Sequence, residues 1–584
     1  MSFKQTSLYP ANPTTDRGVS TKLSASKDKI VYTNGKSVII RDLNNPSASV
    51  SYAGHVQNAT VARISPSGYY CASADAGGTV RVWDTVGEDK TLKGEYKAIN
   101  AVAIRHQRPF RAATAGDDTL IIFHQGKSLQ AYHIVTENAP GAPYKYDKTI
   151  KTHTKFVQDV RYAPSGDLFA SVGSDSKLFL YDGKTGDTMA EITDTPHKGS
   201  VMACSWSPDS KTLVTSSADC TVKLWDVEAR KAVQTWSLGS GVGNQQVGNA
   251  WSGEKEIVSL SLGGDLNIFD QRTADKPARI INAPQKPITA MAAFGSDTFL
   301  AGTADGRVLS FSSSKGESTH LQGQGHTSVV TGLAASPAGN KVYSAGFDDR
   351  IREIDAADSG FTIQTLTTVL FLNSQASLAT ASQPKSIAVA DDESVVIVEV
   401  NGVEVIRSNQ KVFDLATKYT PSAVAIWRSV VAIGGEDQKV RLYDWDGKAL
   451  KEKAVLEGSK GVVSALSFSP DGTYLAAGDS SGRISLFDTG ENKLVTSRWS
   501  FHTARINSLA WTSDSKHCAS GSLDTHVYIW SVAKPLKNIA LKNVGPGGVN
   551  AVLWIDSADG KTGKLASAGF DGCVKVWEIT FHPA

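Results

Sequence analysis

Cysteine and methionine are scarce in this chain of 584 residues, which has five and four of them. The cysteines (Cys71, Cys204, Cys220, Cys518, Cys573) are odd in number, scattered, and without CxxC or Cys/His ligand spacing. That argues against a disulfide framework or a zinc site and for reduced thiols in a reducing compartment. No stretch approaches the ~18 to 20 apolar residues of a membrane-crossing helix, and the opening MSFKQTSLYPANPTTDRG has no apolar leader core. A cytoplasmic protein without membrane insertion is expected. An excess of charge is also missing: 60 basic against 58 acidic residues leave a net +2. This gives no broad electrostatic footprint for nucleic acid. Finally, the length exceeds the ~250 to 300 residues that one hydrophobic core serves, so at least two domains are expected.

What the chain does have is a repeat. SVMACSWSPDSKTLVTSSADCTVKLWD (200–226), GVVSALSFSPDGTYLAAGDSSGRISLFD (461–488) and RINSLAWTSDSKHCASGSLDTHVYIWS (505–531) share one template. An alternating apolar strand is followed by a Ser-Pro-Asp-like turn, a second strand of small and apolar residues, a polar turn, and a third strand ending in a large residue. That last residue serves as a ruler: Arg41, Trp83, Phe123, Tyr181, Trp225, Phe269, Phe311, Ile354, Ile406, Tyr443, Phe487, Trp530 and Trp577 mark thirteen units. Most intervals run from 37 to 47 residues, the period of a WD-repeat propeller blade. Gly54-His55, Gly325-His326, Trp83-Asp84 and Trp225-Asp226 supply the signature dipeptides. Propellers rarely exceed eight blades, so the expected fold is all-β, with two WD-repeat β-propellers in tandem: an N-terminal one over 1–275 and a C-terminal one over 276–584. The variable stretch after each ruler residue, such as KAVQTWSL after Trp225, should form the outer strand. Because only EITFHPA follows Trp577, a segment within Ser2 to Tyr9 should complete one ring.

An Asp stands six residues before the ruler in eight units (Asp117, Asp175, Asp219, Asp305, Asp348, Asp437, Asp524, Asp571). In a blade it lies in the turn between the second and third strands and accepts hydrogen bonds from turn amides and from a His at the unit start. Candidate partners are His55, His153, His197, His326 and His502; other units must satisfy the turn differently. Catalytic signatures are missing: there is no Walker A loop, HExxH, GxSxG or zinc-ligand cluster. No enzymatic activity, cofactor or metal is expected. Trp206, Trp251, Trp511 and Trp554 fall in first strands and read as packing groups, and short basic pieces such as RHQRPFR read as solvated surface. From the residues alone, function is limited to a rigid binding platform, so a general WD-repeat scaffold remains the alternative.

Several segments resemble the actin-interacting protein 1 family, the double-propeller WD-repeat cofactor of ADF/cofilin. They are VAIRHQRPFRAATAGDDTLIIFHQG (102–126), YKYDKTIKTHTKFVQDVRYAPSGDLFASVGSDSKLFLYDG (144–183), YTPSAVA (419–425) and VAIGGEDQKVRLYDW (431–445). The resemblance implies a monomeric, non-enzymatic protein of the actin cytoskeleton that binds cofilin-decorated actin filaments, promotes their disassembly and helps to cap barbed ends. It implies no nucleotide chemistry of the protein's own, and the balanced charge argues against a nucleic-acid partner. By motif, the cofilin-actin surface maps to Asp117 in AGDD, Tyr146 in YKYDKT, read as lying in a connection, and Phe156 in HTKF. Family members have two rings of seven blades, against thirteen units here. The break falls near TLKGEYKAINAVAIRHQRPF (91–110), so the N-terminal ring is expected to lack one blade. Two long intervals, containing GKSLQAYHIVTENAPGA and TIQTLTTVLFLNSQ, read either as surface insertions or as translated intron sequence.

Overall fold

The computed structural model describes residues 2–581 except 17–18, 66–67, 78, 86–88, 94–100, 106–109, 116–120, 127–143, 254–255, 273–274, 296–297, 313–315, 324, 356–359, 362–376, 409 and 557–559. Among the described residues the strands form thirteen antiparallel sheets, one for each repeat unit. Each sheet is a meander of neighbouring strands, innermost first, as the spacing of turn residues implies. We number the sheets as blades 1–13 in chain order. In every one the ruler residue lies in the third strand. Those rulers whose side chains are described are buried, from Trp225 at 1 % and Trp530 at 0 % to Trp577 at 9 % exposed. The second and third strands are therefore the packed middle of the blade, and the fourth is the wet one. Lys231–Ser237, for example, alternates exposed positions with half-buried ones and fully buries its penultimate residue, Trp236, which its mixed sequence KAVQTWS matches.

The chain divides into two compact units. Asn12–Asn45 with Val50–Asn282 forms one, and Met1–Ala11, Pro46–Ser49 and Ala283–Ala584 form the other. The first holds blades 1–6 and the second holds blades 7–13. In the second unit the innermost strands pack in cyclic order, with Val549–Asp556 of blade 13 returning onto Ile288–Ala293 of blade 7. Blade 13 takes its fourth strand from the other end of the chain. Ser2–Tyr9 pairs antiparallel with Val574–Thr580, from Ser2 opposite Thr580 to Tyr9 opposite Val574. The segment that the sequence nominates to complete a ring does so here. Tyr9 anchors it: the ring meets Phe299 and Phe311 edge-on at 6.2 and 5.6 Å, and Oη donates to the Ser312 carbonyl at 3.0 Å.

The N-terminal unit holds six blades. Its innermost strands also pack neighbour on neighbour, and Gln246–Ser252 of blade 6 meets Ser24–Ser26 of blade 1. One junction differs: among the described residues, Ala59–Ile64 of blade 2 and Ala101–Arg105 of blade 3 make no comparable approach. That is where the sequence reading places the lost blade. Of the two insertions, the first (126–142) lies almost wholly outside the described residues. The second interrupts an outer strand. Gly360–Phe361 and Ser377–Ala379 both pair with Arg350–Asp355. A continuous strand would put position 363 opposite Arg352, yet Ser377 stands there. The displacement equals the length of TIQTLTTVLFLNSQ, whose residues 362–375 lie outside the described ones.

If the N-terminal strand closes the second ring, its two aromatic residues should differ sharply. Tyr9→Ala should destabilise that unit by roughly 3 to 5 kcal/mol, the range for deleting a buried ring. Phe3→Ala, at a site 45 % exposed, should cost under about 1 kcal/mol. Urea unfolding followed by tryptophan fluorescence checks this, and equal losses would refute it.

Candidate functional site

The turn carboxylates organise the loops that a partner can reach. In seven of the eight units with Asp at the predicted place, the residue that follows it has a positive φ: Ser176, Cys220, Gly306, Asp349, Gln438, Thr525 and Gly572, between 53° and 89°. Asp117, the eighth, lies outside the described residues. Most of these seven carry a side chain, for which the left-handed region costs ~1 to 2 kcal/mol. The carboxylate offsets that cost by accepting the amide two residues on, as in Thr221 to Asp219 at 3.0 Å and His526 to Asp524 at 3.0 Å.

The other side of the carboxylate faces a histidine. His153 Nδ1 lies 3.0 Å from Asp175, His197 Nδ1 3.0 Å from Asp219, His326 Nδ1 2.7 Å from Asp348 and His502 Nδ1 2.9 Å from Asp524. Each ring's Nε2 meets a hydroxyl of the second strand: Ser171, Thr215, Ser344 or Ser520, at 2.7 to 2.9 Å. The ruler aromatic often completes the chain, as Trp225 Nε1 donates to Thr215 Oγ1 and Trp530 Nε1 to Ser520 Oγ, both at 2.8 Å. All five candidate histidines therefore have structural partners.

His55 shows what the spacing rule missed. Its Nδ1 faces Asp75 at 3.0 Å, a residue eight places before the ruler, at the end of the second strand. Asp479 takes the same place in blade 11 and accepts the Lys460 and Gly461 amides at 2.9 and 3.2 Å. Glu399, seven places before Ile406, likewise ends the second strand of blade 9 and accepts both Ser382 N–H and Oγ–H at 2.8 Å. Blades without a histidine use a cation or a hydroxyl: Arg441 forks onto Asp437, Lys575 binds Asp571 at 2.7 Å, and Thr303 donates to Asp305 at 2.5 Å.

Of the three residues assigned to partner binding, two are described. Tyr146 corrects the sequence reading of a connection: it lies within the outer strand of blade 3, Tyr144–Ile150, opposite His124. The alternating YKYDKTI fits an edge strand that has one neighbour. Phe156 lies six residues after that strand, in the loop entering blade 4. Its backbone is clamped, because its carbonyl accepts the Ser174 amide at 2.8 Å and the Thr154 amide binds Asp175 at 2.8 Å. Its side chain is 50 % exposed. The histidine-aspartate pair thus holds an aromatic ring at the surface in a fixed loop. Lys148, from the same outer strand, reaches Asp187 of blade 4 at 2.6 Å, which ties the two elements together.

Models of known families match the same repeats. The WD domain, G-beta repeat, matches 47–84, 144–182, 191–226, 318–355 and 541–578, and the Vps8 beta-propeller matches 416–539. The chain is 33 % identical to a Drosophila melanogaster protein called Actin-interacting protein 1, over 99 % of this chain and 98 % of that one. The chain belongs to the actin-interacting protein 1 family. Other relatives in the family are the 66 kDa stress protein of Physarum polycephalum, 35 % identical over 99 % of this chain and all of that one. WD repeat-containing protein 1 of Xenopus tropicalis is 31 % identical over the full length of both. The alignment with the Drosophila family member extends over 633 positions against the 584 residues here, an excess of about one blade.

The two units share one titration pattern and differ at a single carboxyl. Burial holds His153 and His197 of the N-terminal unit, and His326 and His517 of the C-terminal one, below the usual histidine range, although nearby carboxylates work the other way. Burial works to raise Asp175 and Asp219, but the amide and histidine hydrogen bonds prevail and hold both below the usual carboxylate range. An unfolded chain takes up these protons at higher pH than the folded one, so both kinds of group lose stability as pH falls. In blade 9 burial drives Glu399 up to about 7, and the neighbouring Glu404 adds to it. Its contribution has the opposite sign: full below the unfolded carboxyl value and lost as pH rises through about 7. From pH 7 to 5 the N-terminal unit should therefore lose more thermal stability than the C-terminal one, and Glu399→Gln should stabilise the latter above pH 7. Calorimetry with the transitions assigned by single-unit variants measures both; parallel transitions across that range would contradict the assignment.

Proposed function

We propose that this protein is a non-enzymatic actin regulator that cooperates with ADF/cofilin to disassemble filaments and cap their barbed ends. In this reading the N-terminal propeller, 1–275, engages cofilin-decorated actin through Asp117, Tyr146 and Phe156. The C-terminal propeller, 276–584, adds further contacts. The protein acts as a monomer in the cytoplasm, on the actin cytoskeleton. The observation that carries the proposal is family membership over the whole chain, together with a relative named for interacting with actin. The clamped, half-exposed Phe156 supports it locally, since a rigid surface aromatic binds with little ordering cost.

The mechanism needs no chemical step. A ligand that prefers cofilin-bound or severed filament ends shifts the assembly equilibrium toward those states by its differential affinity alone. Its effect should therefore require cofilin and saturate with occupancy.

The test is sedimentation of filamentous actin with this protein, with cofilin, and with both. Loss of sedimentable actin only with both is expected; no enhancement from folded protein would overturn the proposal. Phe156→Ala should leave stability within about 1 kcal/mol, as for other exposed sites, and reduce cofilin-dependent disassembly severalfold. Tyr146→Ala should act in the same direction, and full activity in both variants would remove these residues from the surface.

A further inference from the structure

Four charged side chains with no part in the proposed actin surface meet inside the N-terminal unit. Asp159, in the innermost strand of blade 4, has a side chain only 1 % exposed. Lys22, just before the innermost strand of blade 1, places Nζ 3.2 Å from it and also donates to the Gln158 carbonyl. Arg161 donates Nε to both carboxylate oxygens at 3.1 Å, and the Cys204 amide of blade 5 donates at 3.2 Å. The Val160 amide donates as well, at 3.0 Å, so one carboxylate is already held by four donors.

A further cation shares the site. Arg63, in the innermost strand of blade 2, stands opposite Ala72 as Arg161 stands opposite Ala170. The two occupy the same register position in their blades, three residues before the Pro of ARISPSG and of VRYAPSG. Arg63 donates Nη1 to the Leu23 carbonyl at 3.2 Å. Burial first, and then the charge of Arg161, push its pKa down to about 9. Asp159 is the carboxylate that acts on both arginines. Arg161 uses Nε for it, and Arg63 uses Nη1 for a neutral carbonyl, which leaves guanidinium N–H groups on both half-buried arginines that face solvent rather than another described side chain. A guanidinium keeps its proton, so two arginines and a lysine around one carboxylate leave the cluster with an excess of positive charge. The forked donor pattern matches a tetrahedral oxyanion.

We propose that Arg63 and Arg161 form a binding site for a small free oxyanion of phosphate chemistry, with Asp159 and Lys22 holding Arg161 in place. The depth of the cluster favours a free anion over a phosphoryl group on a large molecule, since the Lys22 and Arg161 side chains are only 10 % and 21 % exposed.

The experiment is a titration of the full chain with inorganic phosphate, pyrophosphate or AMP at constant ionic strength, balanced with sodium chloride and read by calorimetry. Saturable binding of phosphate or pyrophosphate, weakened about tenfold or more in Arg63→Met and in Arg161→Met, is expected from the loss of charge-assisted bonds. Arg63→Lys should fall between, since it keeps the charge without the fork. Heats no larger than those of chloride, undiminished binding in the arginine variants, or binding of AMP alone would each overturn the site. Should the variants not fold, broadening of the phosphate 31P resonance by the unaltered protein decides: broadening reversed by pyrophosphate supports the site, and an unchanged line overturns it.

Discussion

A ring of sheets closes only if each blade's innermost strand finds partners on the next blade. In the C-terminal unit one device meets that need. The innermost strands carry a register shift after their first residue, as between Ile288 and Ala290 or Val463 and Ala465, and the extra residue leaves the ladder. Its side chain then donates to the first carbonyl of the next blade. Thr289 binds Val330, Ser422 binds Val463, Ser464 binds Ile506, Asn507 binds Val549, and Asn550 binds Ile288 to complete the circle, at 2.6 to 3.0 Å. Lys385 does the same for Pro421 at 3.3 Å. The exception is Thr331, which faces the blade that starts with Pro384; its hydroxyl is buried without a partner.

Each blade meets a second constraint on its own. Its turn carboxylate must be satisfied, and the chain reaches this with several chemistries. Histidine and a hydroxyl serve five blades, Arg441 and Lys575 replace histidine in two, and three blades, that of His55 among them, place the acid at the end of the second strand as Asp75, Glu399 and Asp479. A charged partner is not needed where amides suffice, as at Asp479. Where two acids crowd together, at Glu399 and Glu404, one carboxyl is pushed toward neutrality instead. The common requirement is the satisfied turn acceptor, and the residue that satisfies it varies. For this reason the repeats keep their geometry while their sequences drift.

That distinction explains what the sequence made legible. Strand periodicity, the ruler residues and the turn Asp residues act within one blade, over a few tens of residues, so thirteen blades and their strand order could be read from the chain. The role of Ser2–Tyr9 was readable because Trp577 has so little chain after it. Asp75 escaped because it stands two residues earlier, at the end of the second strand, although Cys71 faces Trp83 at the same separation as Leu213 faces Trp225. Tyr146 was placed in a connection because an outer strand has one neighbour and hence a weak pattern. The arginine cluster was hidden for a different reason: Lys22, Arg63 and Asp159 come from three blades, and only the repeated Arg-x-x-Pro-Ser-Gly of blades 2 and 4 hinted at a shared position.

The six-bladed unit matters to function only through what it displaces. Repeat architectures draw stability from each unit and its nearest neighbours, so the loss of one blade acts first on the two blades beside it. Phe156 is not governed by that junction. Its loop is set by His153, Asp175, Ser171 and the Ser174 amide, all within blade 4, and blade 4 packs on blade 5 through a continuous core from Ala163 to Val227. Lys148 adds a tie to the outer strand of blade 3 that carries Tyr146. The break between blades 2 and 3 lies on the far side of that strand's sheet. A binding surface built on the passage from blade 3 to blade 4 therefore keeps its local support when a blade is missing before it, and altered geometry should be felt instead by whatever contacts blades 1 and 2.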